Sequence, residues 1–306
     1  MIKTNNNYPN FNWIQVIDPT DEELIEISDK YKLNLEMIEY ATDKFESPRF
    51  EHDGDTDLII MDGIAEHSDK KAVIQPISFF VQKNDRLITF TNHGTSQMLD
   101  ETMQKSPKSF LSSITNEKTK PLDLVLNAFF NLTANYLDAL SEVERQHNLL
   151  QKEIYVHRNS EYLSELLNVK VNLIYYLNAL ERNKATLDQF RNDNQQKIDI
   201  SEDEFLEDIE IEMKQALDMA NISTKIMNLL SDAYENIVTN NTNRSMSILT
   251  VASIVLAIPA IVVGFFGMNV HLPMTDGTFS WILITFGTTI IMVWVYQILK
   301  RHGFFN

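Results

Sequence analysis

From Ser245 to Leu299 the chain carries one charged side chain, Asp276, and neither Lys nor Arg. It divides into two apolar runs, Ser245–Phe266 and Phe279–Leu299. At 1.5 Å per residue, about 20 helical residues cross a hydrocarbon core of roughly 30 Å. Between the runs, Gly267, Pro273, Asp276 and Gly277 break any continuous helix. Burying such a hairpin inside a soluble protein would take a very large surrounding domain. We therefore expect two membrane spans and a lipid bilayer as their solvent.

Basic residues flank the runs and avoid the loop between them. Arg244 precedes the first, and Lys300, Arg301 and His302 follow the second. Positively charged flanks stay in the cytoplasm, so both termini are expected inside and the loop outside a multi-pass cell-membrane protein. The opening Met1–Phe11 has no apolar core of the signal-peptide kind, so the first span is expected to act as its own insertion signal.

Everything before Ser245 is strongly acidic. All but two of the 26 basic residues and all but one of the 43 acids lie there, and the whole chain carries −17. Such a surface repels nucleic acid. The absence of cysteine excludes disulfides, thiolate metal sites and cysteine nucleophiles. The seven histidines are scattered, and neither a phosphate-binding glycine loop nor a nucleophile–base pair stands out. No enzyme and no cofactor is expected.

The hydrophobic period changes along this soluble part. Phe11–Ile17, Leu58–Ala65, Ala72–Val81 and Arg86–Thr91 have strand composition, and Thr20–Lys30 and Asn34–Thr42 have helical spacing. From Pro121 the pattern is helical only, in one helix to about Val156 and a second over Glu161–Arg191. The second places Leu163, Leu166, Leu167, Val171, Ile174 and Leu177 on its predicted apolar face. A third helix starts at Ser201, where Glu204 completes a capping-box spacing. With no Pro before Pro259 and no Gly before Gly264, it is expected to run unbroken into the first span. The expected class is an α+β cytoplasmic domain with a long stalk helix continuing into a two-span transmembrane hairpin. The expected segments are an α/β domain over 1–120, a helical hairpin over 121–200, a stalk over 201–244 and the first span over 245–269. A loop over 270–278, the second span over 279–299 and a basic tail over 300–306 complete the chain.

One stripe of the first span is narrow. Steps of three and four residues from Asn243 give Met246, Thr250, Ser253, Ala257, Ala260, Gly264 and Gly267, all small after Met246. Close helix packing uses such stripes, and so does a pore wall, where small side chains leave room and hydroxyls meet water. Continued backwards, the spacing gives Thr239, Asn236 and Asp232. A packing seam would turn to Leu or Ile there. A polar seam suits a water-filled axis, and two spans alone cannot enclose one, so several copies are required.

At the end of the first span stands Gly267-Met268-Asn269. This tripeptide, closing the first of two C-terminal spans after a long acidic soluble domain, resembles the CorA family of magnesium channels and transporters. Asn243-x-x-Met246-x-x-Leu249-Thr250 resembles that family's cytoplasmic pore entrance, and Lys300-Arg301-His302 its basic tail. The resemblance is specific over about 200–306. It implies a homopentameric funnel whose first spans line the pore, with Gly267, Met268 and Asn269 at the outer mouth. Asp232, Asn243, Met246, Leu249, Thr250, Ser253, Ala257, Ala260 and Gly264 would line the pore. The implied activity is passive, potential-driven uptake of hydrated Mg²⁺, with Co²⁺ or Ni²⁺ as further substrates, and a zinc-transporting relative as the alternative. Mg²⁺ is thus expected both as substrate and as a regulatory ligand. A membrane-tethered sensor or scaffold is the rival outside transport. Two departures stand out: Phe266 replaces the family's usual Tyr, and the loop's acid is delayed to Asp276.

Ser201–Glu212 contains seven acids. They suit a helix start and a solvated face. The resemblance implies instead an inter-subunit regulatory site at which bound Mg²⁺ keeps the channel shut. An ungapped count from the tripeptide places the stalk's acid of that site at Asp208.

Overall fold

The computed structural model describes residues 1–5, 10–68, 71–83, 85–104, 119–154, 160–195, 198–268 and 279–301. It divides into two compact units, Met1–Leu229 and Leu230–Asn306.

The first unit is built on a six-stranded sheet in the order β1-β2-β6-β5-β4-β3. Its strands are β1 (Ile2–Asn5), β2 (Asn12–Ile17), β3 (Arg49–Asp53), β4 (Thr56–Ser68), β5 (Lys71–Gln82) and β6 (Arg86–Thr91). Among the described residues, only the β2–β6 pair is parallel. The run Leu58-Ile59-Ile60-Met61 shows why the sheet is covered on both faces. Leu58 and Ile60 pack with Ile27, Met37 and Ile38 of α1 (Asp21–Tyr31) and α2 (Leu35–Thr42). Ile59 and Met61 join a core with Leu99 of α3 (His93–Gln104) and Phe129 of α4 (Pro121–Glu153). The same core takes in Phe190 of α5 (Ser160–Asn194) and Phe205 of α6 (Ile200–Phe266). An apolar run without alternation is what a sheet buried on both faces demands.

Two local readings of the sequence need correction. On α5 the core face is Tyr162, Leu166, Val169, Leu173, Tyr176 and Leu180, whereas Leu163, Leu167, Val171 and Ile174 are exposed. The buried face is harder to see because it carries polar groups. Asn172 accepts from the backbone N–H of Ala72 at 2.9 Å, and Asn183 serves Asp62. The cap of α6 also lies two residues earlier than expected. The Asp199 carboxylate accepts from the N–H groups of Ser201 and Glu202, while Glu202 accepts from the N–H of Asp199. The Glu202 N–H and the Lys120 ammonium, both donating to it, hold the Asp199 carboxyl down at about 2.

Asp62 sits where β3 has ended, since the last β3–β4 pair is Arg49 with Ile60. The Asn183 amide replaces the absent strand. It accepts from the Asp62 N–H at 2.8 Å and donates to its carbonyl at 2.8 Å, where the Tyr136 hydroxyl donates too. Asp62 is 4% exposed, and burial raises its pKa to about 6 despite Arg182 at 3.2 Å. An unfolded Asp titrates near 3.9, so the folded chain holds this proton more tightly. The stabilisation is complete below about pH 4 and is lost as pH rises through about 6. Asp62→Asn is expected to flatten the fall in stability between pH 5 and 7, by about 1 kcal/mol. Thermal unfolding of the detergent-solubilised chain checks this, and an unaltered slope would refute it. Asp123, raised to about 6 by burial, keeps part of the slope in the variant.

The second unit contains the C-terminal part of α6 and α7 (Ser280–Arg301). α6 continues through Pro259 without a break. Both helices are long and apolar enough to cross a membrane, and their apolar stretches are almost wholly unburied. Leu256, Ile261, Val263, Trp281, Phe286 and Trp294 are all exposed. A hairpin buried inside a soluble protein would show the reverse. Exposed surfaces of this size require lipid or other chains against them.

Candidate functional site

The stripe along α6 points outward throughout. Asp232, Asn243, Met246, Leu249, Thr250, Ser253, Ala257, Ala260 and Gly264 are all exposed, as are Gly267 and Met268 just after the helix. Asn269 lies outside the described residues. Among the described residues, a side chain on Gly264 would meet nothing within 4 Å. Packing within one chain therefore does not require this position to be small.

The stripe's hydroxyls have a defined polarity. Thr250 Oγ1 donates to the Met246 carbonyl and Ser253 Oγ to that of Leu249, each at 2.8 Å. With the protons committed to the backbone, the oxygen lone pairs remain as acceptors. The hydroxyls of Thr285, Thr288 and Thr289 on α7 make the same bonds, to the carbonyls of Trp281, Ile284 and Thr285. At the helix end, Gly267 N–H still bonds to the Val263 carbonyl at 2.9 Å.

The acids at the start of α6 separate into groups. Glu202 is buried and accepts from Lys120 Nζ at 2.9 Å, and Asp199 takes the same ammonium at 3.0 Å. These two carboxylates raise the Lys120 pKa. Arg191, at the end of α5, lies 2.8 Å from both Asp203 and Glu210 and 3.7 Å from Glu207. Asp208 is exposed and sits about 140° around the helix from Asp203. Sequence reasoning missed Lys120 and Arg191 as the partners that neutralise this segment. The signal was present for Arg191, which closes the preceding helix beside the acidic run. Among the described residues, no group of three or more His, Asp or Glu side chains is arranged to hold a metal.

The model of the CorA-like Mg²⁺ transporter protein family matches residues 9–301. This chain belongs to that family. A curated relative, the cobalt/magnesium transport protein CorA of Methanocaldococcus jannaschii, is 25% identical over 294 residues, covering 95% of this chain and 90% of its own length. The complete structure of the CorA magnesium transporter from that organism superposes with a TM-score of 0.79 at 21% identity, over 96% of this chain and 92% of that one. The full-length CmaX protein gives 0.69 at 16% identity, over 95% and 89%. The cytoplasmic domain of ZntB from Vibrio parahaemolyticus gives 0.57 at 10%, over 75% and 88%. At these identities the structural likenesses establish the fold. The family match spans both units of this CorA-family chain, including α3 and β3, which the sequence alone leaves blank.

Proposed function

We propose that this chain is the subunit of a homopentameric membrane channel that admits hydrated Mg²⁺ passively, with Co²⁺ or Ni²⁺ as further substrates. The observation that carries the reading is the outward small-residue stripe of α6, open at Gly264, in a chain of the CorA-like Mg²⁺ transporter family. A passive anchor gives no reason for that stripe. A carrier coupled to another ion commonly keeps Asp, Glu, Lys, Arg or His at mid-membrane, and neither apolar run has one of these.

In this reading five copies of the stripe surround the permeation path, with both termini in the cytoplasm. Mg²⁺ sheds its waters reluctantly, so the ion passes with its hydration shell. Asn269 carbonyls at the outer mouth accept hydrogen bonds from that shell, bound weakly enough for the ion to move on. Thr250 and Ser253 oxygens continue the acceptor lining, and Asp232 supplies negative charge at the cytoplasmic end. The membrane potential drives entry, at about 2.3 kcal/mol per charge per 100 mV. Ion flux into liposomes holding the purified chain, compared for Mg²⁺, Co²⁺ and Zn²⁺, tests the reading and its choice of ion.

Closure is assigned to Mg²⁺ bridging Asp208 and a neighbouring copy. Removing one carboxylate weakens that bridge. Asp208→Ala is expected to shift magnesium-dependent protease protection of the soluble part to higher Mg²⁺. An unchanged midpoint would return Asp208 to a solvated helix face.

A further inference from the structure

Steps of three and four residues along α7 give Phe286, Ile290, Val293 and Gln297, and the next steps reach Lys300 and Arg301. With Thr289 and Trp294, the first four line a notch of about 280 Å³ on one face of the helix. All six lining residues are exposed. The Thr289 hydroxyl is spent on the Thr285 carbonyl at 2.8 Å, so the notch is apolar up to Gln297. Lys300 and Arg301 stand exposed one turn beyond it.

The other side of α7 differs. Ile284, Thr288, Met292 and Val295 lie roughly opposite the notch and are half-buried. The face already covered within this chain is therefore not the one that carries the notch. From Phe286 to Gln297 the helix rises about 16 Å at 1.5 Å per residue, close to half of a ~30 Å hydrocarbon core. The notch thus spans one leaflet and puts the Gln297 amide and both cations at headgroup depth. Trp294 falls where amphipathic rings favour the membrane–water boundary.

We propose that this face of α7 binds an anionic phospholipid, an acyl chain lying in the notch and the phosphate held by Gln297, Lys300 and Arg301. The occupant is a lipid of this charge because an apolar slot one leaflet long ends at two cations, in a chain that is otherwise acidic. A zwitterionic lipid fills the slot but brings the cations no net negative partner. With the C-terminus in the cytoplasm, as read above, the site faces the leaflet that carries anionic lipid. The binding rests on the membrane reading of α7 and not on ion passage.

Trp294 reports the occupant directly. The full-length chain carrying Trp281→Phe is placed in vesicles of brominated phosphatidylglycerol with plain phosphatidylcholine, and in the converse mixture. Bromine quenches the tryptophans it touches, and Trp13, buried in the core of the first unit, gives a constant background. The expected result is a preference for phosphatidylglycerol beside Trp294, approaching about fivefold for each cation. It should fall to parity in Lys300→Gln/Arg301→Gln. Trp294→Phe leaves Trp281 as the reporter at the far end of α7, where the flanking sequence has neither Lys nor Arg. That variant should show quenching without preference. Equal quenching of Trp294 by the two lipids overturns the headgroup assignment, and so does a preference that survives in the double variant. Trp294 untouched by either lipid, while Trp281 is quenched, means that another copy covers the notch and overturns the site. Ion flux into the same vesicles is read separately, so failure of the channel reading would leave this result standing.

Discussion

Ala257→Leu stops cation entry while the oligomer stays assembled. Ala257 lies mid-span in the stripe and is exposed in the single chain. Leucine adds a branched side chain there once in every copy, so the obstruction is multiplied by the number of subunits around the path. An added barrier of only about 1.4 kcal/mol slows passage about tenfold, and a ring of such groups adds more. The alternative use of small residues, close packing between helices, predicts a different failure. A bulky group in a tight helix contact would drive the copies apart. Flux and assembly mass, measured on one preparation, separate these outcomes. A variant that conducts normally as an intact oligomer would remove the stripe from the pore wall.

Asn269→Ala is the second large effect, a loss of most or all Mg²⁺ flux from a protein that still assembles. In the proposed reading the amide carbonyl would accept from the waters of the ion without stripping them, which suits a cation that dehydrates reluctantly. Alanine leaves the mouth without those acceptors. Asn269 follows the first apolar run in the sequence and is polar, so the variant is expected to fold and assemble. Flux into liposomes together with assembly mass provides the check. Normal flux from the assembled variant would take the outer-mouth role away from this residue.

How much was legible in the sequence depended on the kind of signal. β6 falls over Arg86–Thr91, the range its β-branched composition marks. β4 and β5 extend a little beyond their apolar runs. α4 begins at Pro121, where proline at the first helical position is favoured. β3 escapes because Arg49-Phe-Glu-His-Asp offers only Phe50 to the core, and its pairing comes from β4. α3 escapes for the same reason, with Leu99 and Met103 buried on a helix of mostly polar residues. The core face of α5 was misassigned because tertiary hydrogen bonds at Asn172 and Asn183 placed polar residues inward. That left four aliphatic side chains outside.

The candidate site divides in the same way. The spacing of the stripe is a property of the sequence, but its outward direction and the open space at Gly264 are properties of the fold. The acidic run read as one cluster. Only its side-chain partners show that Glu202 serves Lys120, that Asp203, Glu207 and Glu210 gather on Arg191, and that Asp208 faces elsewhere. Exposure of Ile222 and Leu229 was likewise hidden, because an apolar residue on a long helix is ordinarily read as core.

The most direct test of the central claim is Mg²⁺ uptake by liposomes holding the purified full-length chain, with an imposed potassium diffusion potential and no other ion gradient. The account predicts uptake that rises with inside-negative potential, reverses direction with its sign and disappears in Ala257→Leu. Uptake indifferent to the potential, or no uptake from an assembled oligomer, would contradict it.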